Sequence, residues 1–251
     1  MKLLMSICLA CACVLSATAA ADDTVSETRA IDARVVRVKL DGLIELKLRQ
    51  GKVASLTISG DKRSLVKITT LQSGDTLHID SETQGLKMNH PTVHVELVLP
   101  ALRELTSEGV GSSDVGGFSG NELELSLDGA GSMKIVADYK KVKASLAGIG
   151  HINLWVSDSD SVDLDLGGAG YITLGGRSKA LKATLAGLGG LNAQQFQADS
   201  VNLDLSGLGS AVVTARKDAT LNLSGLGSVT VYGKPVNRNV SVDGLGSVNW
   251  K

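Results

Sequence analysis

The stretch NLSGLGSVTV, residues 222–231, decides the fold because close variants of it recur along the chain. SLDGAGSMKI at 126–135 and SLAGIGHINL at 145–154 share the same Gly-x-Gly centre and the same flanking pattern. Eight such units begin at successive spacings of 20, 19, 20, 19, 20, 18 and 19 residues. A fixed period of this size indicates stacked supersecondary units.

The flanks of each Gly-x-Gly unit alternate between apolar and polar residues. In one unit Leu125 and Leu127 enclose Ser126 before the glycines, and Met133 and Ile135 follow them. This period of two predicts strands that bury one face. Each unit is therefore expected to be a strand, a glycine corner, a second strand and a short variable loop.

Equivalent residues of successive units indicate how the units stack. Five positions before each corner, Glu124, Lys143, Asp163 and Lys182 alternate in sign, which favours them as direct neighbours on stacked strands. The inward positions alternate between leucine and alanine, as interdigitating layers do. The sequence predicts an all-β protein: a right-handed parallel β-helix of about seven regular coils of 19–20 residues, about 35 Å long.

The recurring glycines are predicted to be structural corners, where glycine adopts backbone conformations that other residues avoid and lets backbones stack closely. We expect the apolar residue between them to point into the core. Because every corner leads into a strand, a nucleotide-binding loop, which needs a helix behind it, is excluded. The predicted corner residues are Gly109, Gly111, Gly129, Gly131, Gly148, Gly150, Gly168, Gly170, Gly187, Gly189, Gly207, Gly209, Gly225, Gly227, Gly244 and Gly246.

The chain divides into three predicted parts. Residues 1–20, with a charged start, an apolar run and an Ala-Thr-Ala site, are typical of a secretory signal peptide. Residues 21–108 are β-rich, and we expect them to continue and cap the repeat region, 109–251. All three cysteines lie within the signal, and lipid anchoring through them is not expected, since Cys8 stands where a lipoprotein signal usually has leucine.

The chain resembles the auto-transporter adhesin head GIN domain family. The resemblance is carried by VHVELVLPALRELTSEGVGSSDV, residues 93–115, followed by the recurring units quoted above. It implies an exported β-helical protein of the bacterial envelope, in the periplasm or at the cell surface, without a settled activity. The chain ends at Lys251 with no translocator barrel after the repeats, so self-export by the auto-transporter route is not expected.

No catalytic, cofactor or metal site is predicted. Asp163, Asp165 and Asp204 face outward, and two coils separate Asp165 from Asp204 by roughly 9–10 Å, the upper edge for an inverting glycosidase pair. The simpler interpretation is a solvated polar face. The four histidines form no zinc-binding helix motif, and the corners lack the aspartate of calcium-binding nonapeptides.

The most particular surface feature is aromatic. His151 and Tyr171 replace the usual serine after the corner on consecutive coils, and Trp155 is expected to face outward between Val136 and Gly175. These three residues are the predicted ligand-contact patch, suited to a sugar or a protein. The alternative is that Trp155 merely covers Gly175.

Three functions remain open. The first is a non-enzymatic envelope protein that binds a glycan or an envelope protein, with no nucleic acid, because the formal net charge is only -1. Its flat face would carry a polar column of Asn153, Thr173, Asn192, Thr230 and Asn249. The second is a polysaccharide-acting enzyme, and the third is a periplasmic structural or stress-linked protein. The oligomeric state is left open.

Overall fold

The computed structural model describes residues 24–81 and 93–251, so the predicted signal peptide lies outside the described residues. Seventeen strands and one helical turn make up the described chain. Their bounds are β1 Thr24–Arg29, β2 Arg37–Asp41, β3 Leu43–Gln50, β4 Ser55–Asp61, α1 Lys62–Leu65, β5 Ile68–Ser73, β6 Thr76–Ser81, β7 Val93–Leu99, β8 Glu104–Ser107, β9 Val110–Leu127, β10 Ala130–Leu146, β11 Ile149–Leu166, β12 Ala169–Leu185, β13 Leu188–Leu205, β14 Leu208–Leu223, β15 Leu226–Tyr232, β16 Asn237–Val242 and β17 Ser247–Trp250.

Stacked parallel coils form a β-solenoid of about seven turns, as the repeat predicts. Each of the strands β9 to β14 runs from one glycine corner to the next and pairs in parallel with the strands of the coils before and after it. The register is the predicted one, with Glu124 beside Lys143 and Lys143 beside Asp163. No hairpin occurs between the described strands β9 to β17.

The expected variable loops between coils are part of the long strands, which corrects the prediction of separate loops. Their backbones keep pairing with neighbouring coils, and the differences in coil length are absorbed by register shifts there. One shift lies between Ala137 and Lys141, and another between Val156 and Ser159. The turn opposite the glycine corner is therefore a bulged bend within a strand.

The N-terminal portion adds coils out of sequence order. Strands β2 and β3 lie between the coil of β6 and β7 and the coil of β8 and β9, all in parallel. Beyond them β4 pairs antiparallel with β7, β1 with β4, and β5 with β6. These antiparallel strands occupy the edge at which the parallel stack begins, so this portion caps the N-terminal end of the solenoid.

The core is a column of inward side chains. The alternating series Leu125, Ala144, Leu164, Ala183 and Leu203 is fully buried, as the sequence predicts. Sequence reasoning missed the large side chains that fill the opposite bend, because they lie in segments interpreted as loops. These are Phe118, Tyr139 and Phe196, each no more than 2% exposed.

The glycine corners bring consecutive backbones into direct contact. A Cβ on the first glycine of a unit would collide with the preceding coil, as at Gly148 against the carbonyl oxygen of Gly129. A Cβ on the second glycine would do the same, as at Gly150 against the carbonyl oxygen of Gly131, and Gly150 also has a positive φ of 158°. Glycine is required at both positions for steric reasons.

The residue between the two glycines does not point into the core, contrary to the sequence-based expectation. Ile149 is 67% exposed, and Leu188, Leu208 and Leu226 are each more than half exposed. The inward and outward alternation runs unbroken through the corner: Leu146 and Ile152 are buried on its two sides, and Ile149, three residues from each, faces outward. An aliphatic residue is therefore displayed to solvent at most corners.

Candidate functional site

The predicted ligand-contact patch lies on the outward face of β11 and β12. His151 and Tyr171 are direct neighbours in the parallel register, and Trp155 lies four residues further along β11. Four residues of a strand span about 13 Å, so the indole and the phenol ring mark two ends of a platform. Trp155 is 47% exposed and Tyr171 is 55% exposed, whereas His151 is half-buried.

Both aromatic rings rest on glycines of the next coil. A Cβ on Gly175 would collide with the indole ring of Trp155, and a Cβ on Gly190 would lie 3.2 Å from Cε1 of Tyr171. The expected contact of Trp155 with Gly175 is therefore present, yet about half of the residue remains accessible. Each ring is held on one side by backbone and leaves apolar surface for a ligand.

A polar column separates the two aromatic positions. Asn153 pairs with Thr173, which pairs with Asn192, as the sequence predicts. Val212 interrupts the column before Thr230 and Asn249. Within the patch, the amide of Asn153 and the hydroxyl of Thr173 lie between the indole and the phenol. Aromatic rings flanking amide and hydroxyl groups suit the alternating apolar and polar faces of a sugar.

The second long face carries the predicted charge ladder. Lys143 Nζ lies 3.1 Å from Glu124 Oε1, and Asp163 is its neighbour on the other side. The hydrogen bond with Glu124, together with the surrounding carboxylates, raises the pKa of Lys143. Two further ion pairs join consecutive coils in the same way: Lys141 pairs with Glu122, and Lys179 pairs with Asp160.

The charge ladder predicts a salt-dependent stability effect. Lys143→Glu would place a third carboxylate between Glu124 and Asp163, and we expect a lower denaturant midpoint than in wild type at low ionic strength. The difference is expected to shrink in about 0.5 M salt, because exposed charges are screened. Urea unfolding at both salt concentrations measures it. Lys234→Glu, which changes the net charge equally, is the control, and an equal effect of both variants at low salt would contradict the local explanation.

The outward acids do not form an evident acid–base pair. Thr184 lies between Asp165 and Asp204 in the register, and Asp204 Oδ1 accepts a hydrogen bond of 2.6 Å from Asn222. Among the described carboxyl groups, those with a displaced pKa are Asp32, Asp160 and Asp199, and hydrogen bonds from Arg34, Lys179 and Lys217 lower all three. A lowered pKa keeps a carboxyl group ionised, which is unsuitable for a general acid at neutral pH.

The three described histidines, His78, His94 and His151, lie on different strands. His94 Nδ1 lies 2.9 Å from Glu45 Oε2 at the N-terminal end of the same face as His151, while His90 falls outside the described residues. Within residues 24–81 and 93–251, no group of three His, Cys, Asp or Glu side chains is placed to hold a metal ion. The same residues include no helix long and apolar enough to cross a membrane.

A cavity beside the ladder was not foreseen from the sequence. It has a volume of about 870 Å³ and lies between residues 101–104 and the charge ladder. Tyr139 forms part of its wall and donates a hydrogen bond of 2.6 Å to the carbonyl oxygen of Leu102, and burial raises the pKa of Tyr139 to about 12. The cavity's lining combines Arg103 and Lys143 with Glu124 and Asp163, so it has no dominant charge.

Comparison with known proteins identifies a family and a set of similar folds. The family model described as "Putative auto-transporter adhesin, head GIN domain" matches residues 36–235. A "putative adhesin" from Parabacteroides distasonis has a TM-score of 0.78 at 18% identity, covering 91% of this chain and 97% of its own. A "putative adhesin" from Bacteroides fragilis has a TM-score of 0.70 at 16% identity, covering 92% and 98%.

A third similar structure carries a different name. A "putative lipid binding protein" from Parabacteroides distasonis has a TM-score of 0.76 at 22% identity, covering 89% of this chain and 96% of its own. None of the curated proteins matches the sequence. At these identities the structural likeness shows a common fold, and the function must be argued from the surface described above.

Proposed function

The chain belongs to the auto-transporter adhesin head GIN domain family, and from this premise we propose that it is a non-enzymatic, exported binding protein of the cell envelope. Its ligand is proposed to be a glycan that lies across the outward face of β11 and β12. Family membership supports an adhesin-like role at or beyond the envelope. The aromatic patch supports the choice of ligand.

One observation carries the proposal of a glycan. Trp155 and Tyr171 present half-exposed rings about 13 Å apart on a flat face, with Asn153 and Thr173 between them. The long strands hold these side chains on a rigid backbone, so little conformational entropy is lost on binding. A sugar stacked on each ring would place its hydroxyl groups within reach of the amide and hydroxyl side chains.

The patch predicts a loss of glycan binding on removal of its rings. Trp155→Ala/Tyr171→Ala is expected to weaken binding at least tenfold, because exposed aromatic anchors contribute most of the energy of such contacts. A glycan array with the purified protein selects the oligosaccharide, and calorimetric titration measures the affinity. The chain has two tryptophans, so in a Trp250→Phe background a change in fluorescence on binding reports on Trp155 alone.

Tyr232→Ala serves as the matched control, because Tyr232 is a half-buried aromatic on β15, three coils from Tyr171. It should bind the selected oligosaccharide as wild type does. If the double variant retains full affinity, the patch does not bind the ligand. If the array gives no glycan signal at all, the proposed ligand class is wrong.

The proposed location has its own test. Cells with an epitope tag after Lys251 are fractionated, and intact cells are treated with protease. Loss of the tag on intact cells supports surface display, and protection until the outer membrane is opened places the protein in the periplasm. Recovery of the full chain only in the cytoplasmic fraction would contradict export.

A further inference from the structure

An exposed aliphatic stripe follows the glycine corners along the solenoid. It consists of the residue between the two glycines in each unit, together with Leu43 at the equivalent position of β3. From Leu43 to Leu226 these residues are direct neighbours in the parallel register, and Leu245 follows at the same position of the last unit. The members of this corner stripe are Leu43, Val110, Ala130, Ile149, Ala169, Leu188, Leu208, Leu226 and Leu245.

The corner stripe is unusual for a surface because every member is apolar. Nine members at about 4.8 Å spacing extend for about 38 Å. Ile149, Leu188, Leu208, Leu226 and Leu245 are between 51% and 86% exposed. Contiguous apolar surface of this kind marks an interaction site, whereas single exposed leucines need no explanation.

A groove runs beside the C-terminal half of the corner stripe. It has a volume of about 660 Å³, its floor is made by the first glycines from Gly168 to Gly244, and the stripe residues form one wall. Small residues such as Ala186 and Ser206 form the other wall, and no charged side chain lines it. The corner therefore presents an apolar ridge and an uncharged groove side by side.

The corner backbone is not available for pairing with a foreign strand. The amide of Leu208 donates to the carbonyl oxygen of Gly187 at 3.1 Å, and the amide of Gly207 donates to that of Leu185 at 3.0 Å. The amides of the stripe residues Ile149 and Ala169 donate in the same way to the carbonyl oxygen of the first glycine of the preceding coil. A partner must therefore be held by side-chain packing alone, which argues against an extended peptide that adds a strand.

The geometry points to a second copy of this chain as the partner, packed corner to corner. Two copies have the same spacing between coils, so the stripe side chains of one copy stay in step with the first glycines of the other from coil to coil. In a partner with a different repeat distance, the side chains would no longer coincide with the first glycines after a few coils. Knobs fitting into matched holes give the dense packing that stabilises an apolar interface.

The arrangement of the two copies follows from symmetry. A twofold axis parallel to the solenoids exchanges the two sides of the corner, so that each ridge faces the groove of the other copy. A twofold axis perpendicular to the solenoids keeps the ridge of both copies on the same side of the corner, so that ridge would face ridge and groove would face groove. The two solenoids are therefore expected side by side and in the same direction, in an isologous dimer.

The contact area sets the expected affinity. The stripe is about 38 Å long. The contact is taken to be four residue positions wide along each strand, which corresponds to about 13 Å. This corresponds to about 500 Å² on each copy, or about 1,000 Å² in the pair, the lower bound for a specific interface. We expect a reversible dimer with a dissociation constant in the micromolar range.

The charges near the stripe favour this partner over an anionic lipid surface. Glu108, Asp128 and Asp243 each precede a first glycine, and the equivalent positions of the other units carry Ala, Gly or Ser. Acidic flanks would be repelled by anionic headgroups. In the side-by-side dimer these carboxylates lie at the rim, where they stay hydrated.

Sedimentation velocity of the purified full chain between about 1 and 200 μM tests the dimer. We expect a rise from monomer to dimer across this range, and a shift of at least tenfold in the dissociation constant for Leu208→Ser/Leu226→Ser. Val136→Ser, an exposed aliphatic outside the stripe at 49%, is the control and should dimerise normally. Circular dichroism confirms that each variant is folded. A wild-type chain that stays monomeric throughout, or a double variant that dimerises normally, overturns the proposal.

Cysteine cross-linking tests the arrangement. Leu188→Cys, Leu208→Cys and Leu226→Cys are made singly, with Cys8, Cys11 and Cys13 changed to serine if the protein's mass shows that they are retained. In the side-by-side dimer each of the three is close to its own counterpart, so all three should cross-link under mild oxidation and Val136→Cys should not. Cross-linking at a single rung indicates antiparallel copies and overturns the arrangement. Binding of the monomer to phosphatidylglycerol vesicles, lost in the Leu208→Ser/Leu226→Ser variant, would assign the stripe to lipid instead.

Discussion

Gly168→Ala is expected to be strongly destabilising although it adds a single methyl group, with a loss of at least about 3 kcal/mol of stability. The new Cβ would collide with the carbonyl oxygen of Gly148 in the preceding coil. That backbone cannot move aside, because it is itself paired on both sides: the amide of Ala169 donates to Gly148 at 3.0 Å, and the amide of Gly148 donates to Leu127 at 3.0 Å.

The neighbouring glycine supplies a matched control for this prediction. A Cβ on Gly167 meets no atom within 4 Å, and its φ is not positive. Gly167→Ala should therefore unfold at the same denaturant midpoint as wild type or slightly above it, since alanine reduces the entropy of the unfolded chain. Equal stability of Gly168→Ala and Gly167→Ala in guanidinium titrations would mean that the corners are not stacked backbone on backbone.

Phe196→Ala is the second substitution with a large expected effect, a loss of about 3–5 kcal/mol. Phe196 is fully buried in the bend opposite the glycine corner, where it pairs in register with Gly176 of the preceding coil. Gly176 is itself paired with Val156 of the coil before it, so that strand is held in place and cannot collapse toward the vacated space. The cavity left by the phenyl ring would stay open.

Thermal unfolding of Phe196→Ala and Trp155→Ala side by side measures this effect. Trp155→Ala removes a larger ring, but one that is half exposed, and its effect on the unfolding temperature should be much smaller. Phe196→Leu should recover most of the loss, because it refills much of the volume. A Phe196→Ala protein as stable as Trp155→Ala would show that the bend does not contribute to the core.

The candidate site was predictable in part. The parity of the strand places Trp155 outward, and the repeat length places His151 beside Tyr171, so both relations follow from counting residues. The cavity beside Tyr139 does not, because its wall is contributed by the segment 101–104, which lies outside the repeat. Counting also places Val212 beside Asn192 in the polar column, where its apolar side chain interrupts the polar series.

The sequence by itself determined the coil, its period and the identity of the buried face, because stacking in register repeats one local pattern at every turn. Alternation also places the residue between the two glycines outward, and only the tertiary structure decided the direction of side chains in the opposite bends. Phe118 and Phe196 are turned inward where bulges shift the alternation of β9 and β13, each three residues after a buried residue, whereas Tyr139 continues the regular alternation of β10. Alternation fixes direction only while the strand is regular, so at each bend the direction is set by the contacts of the stacked coils.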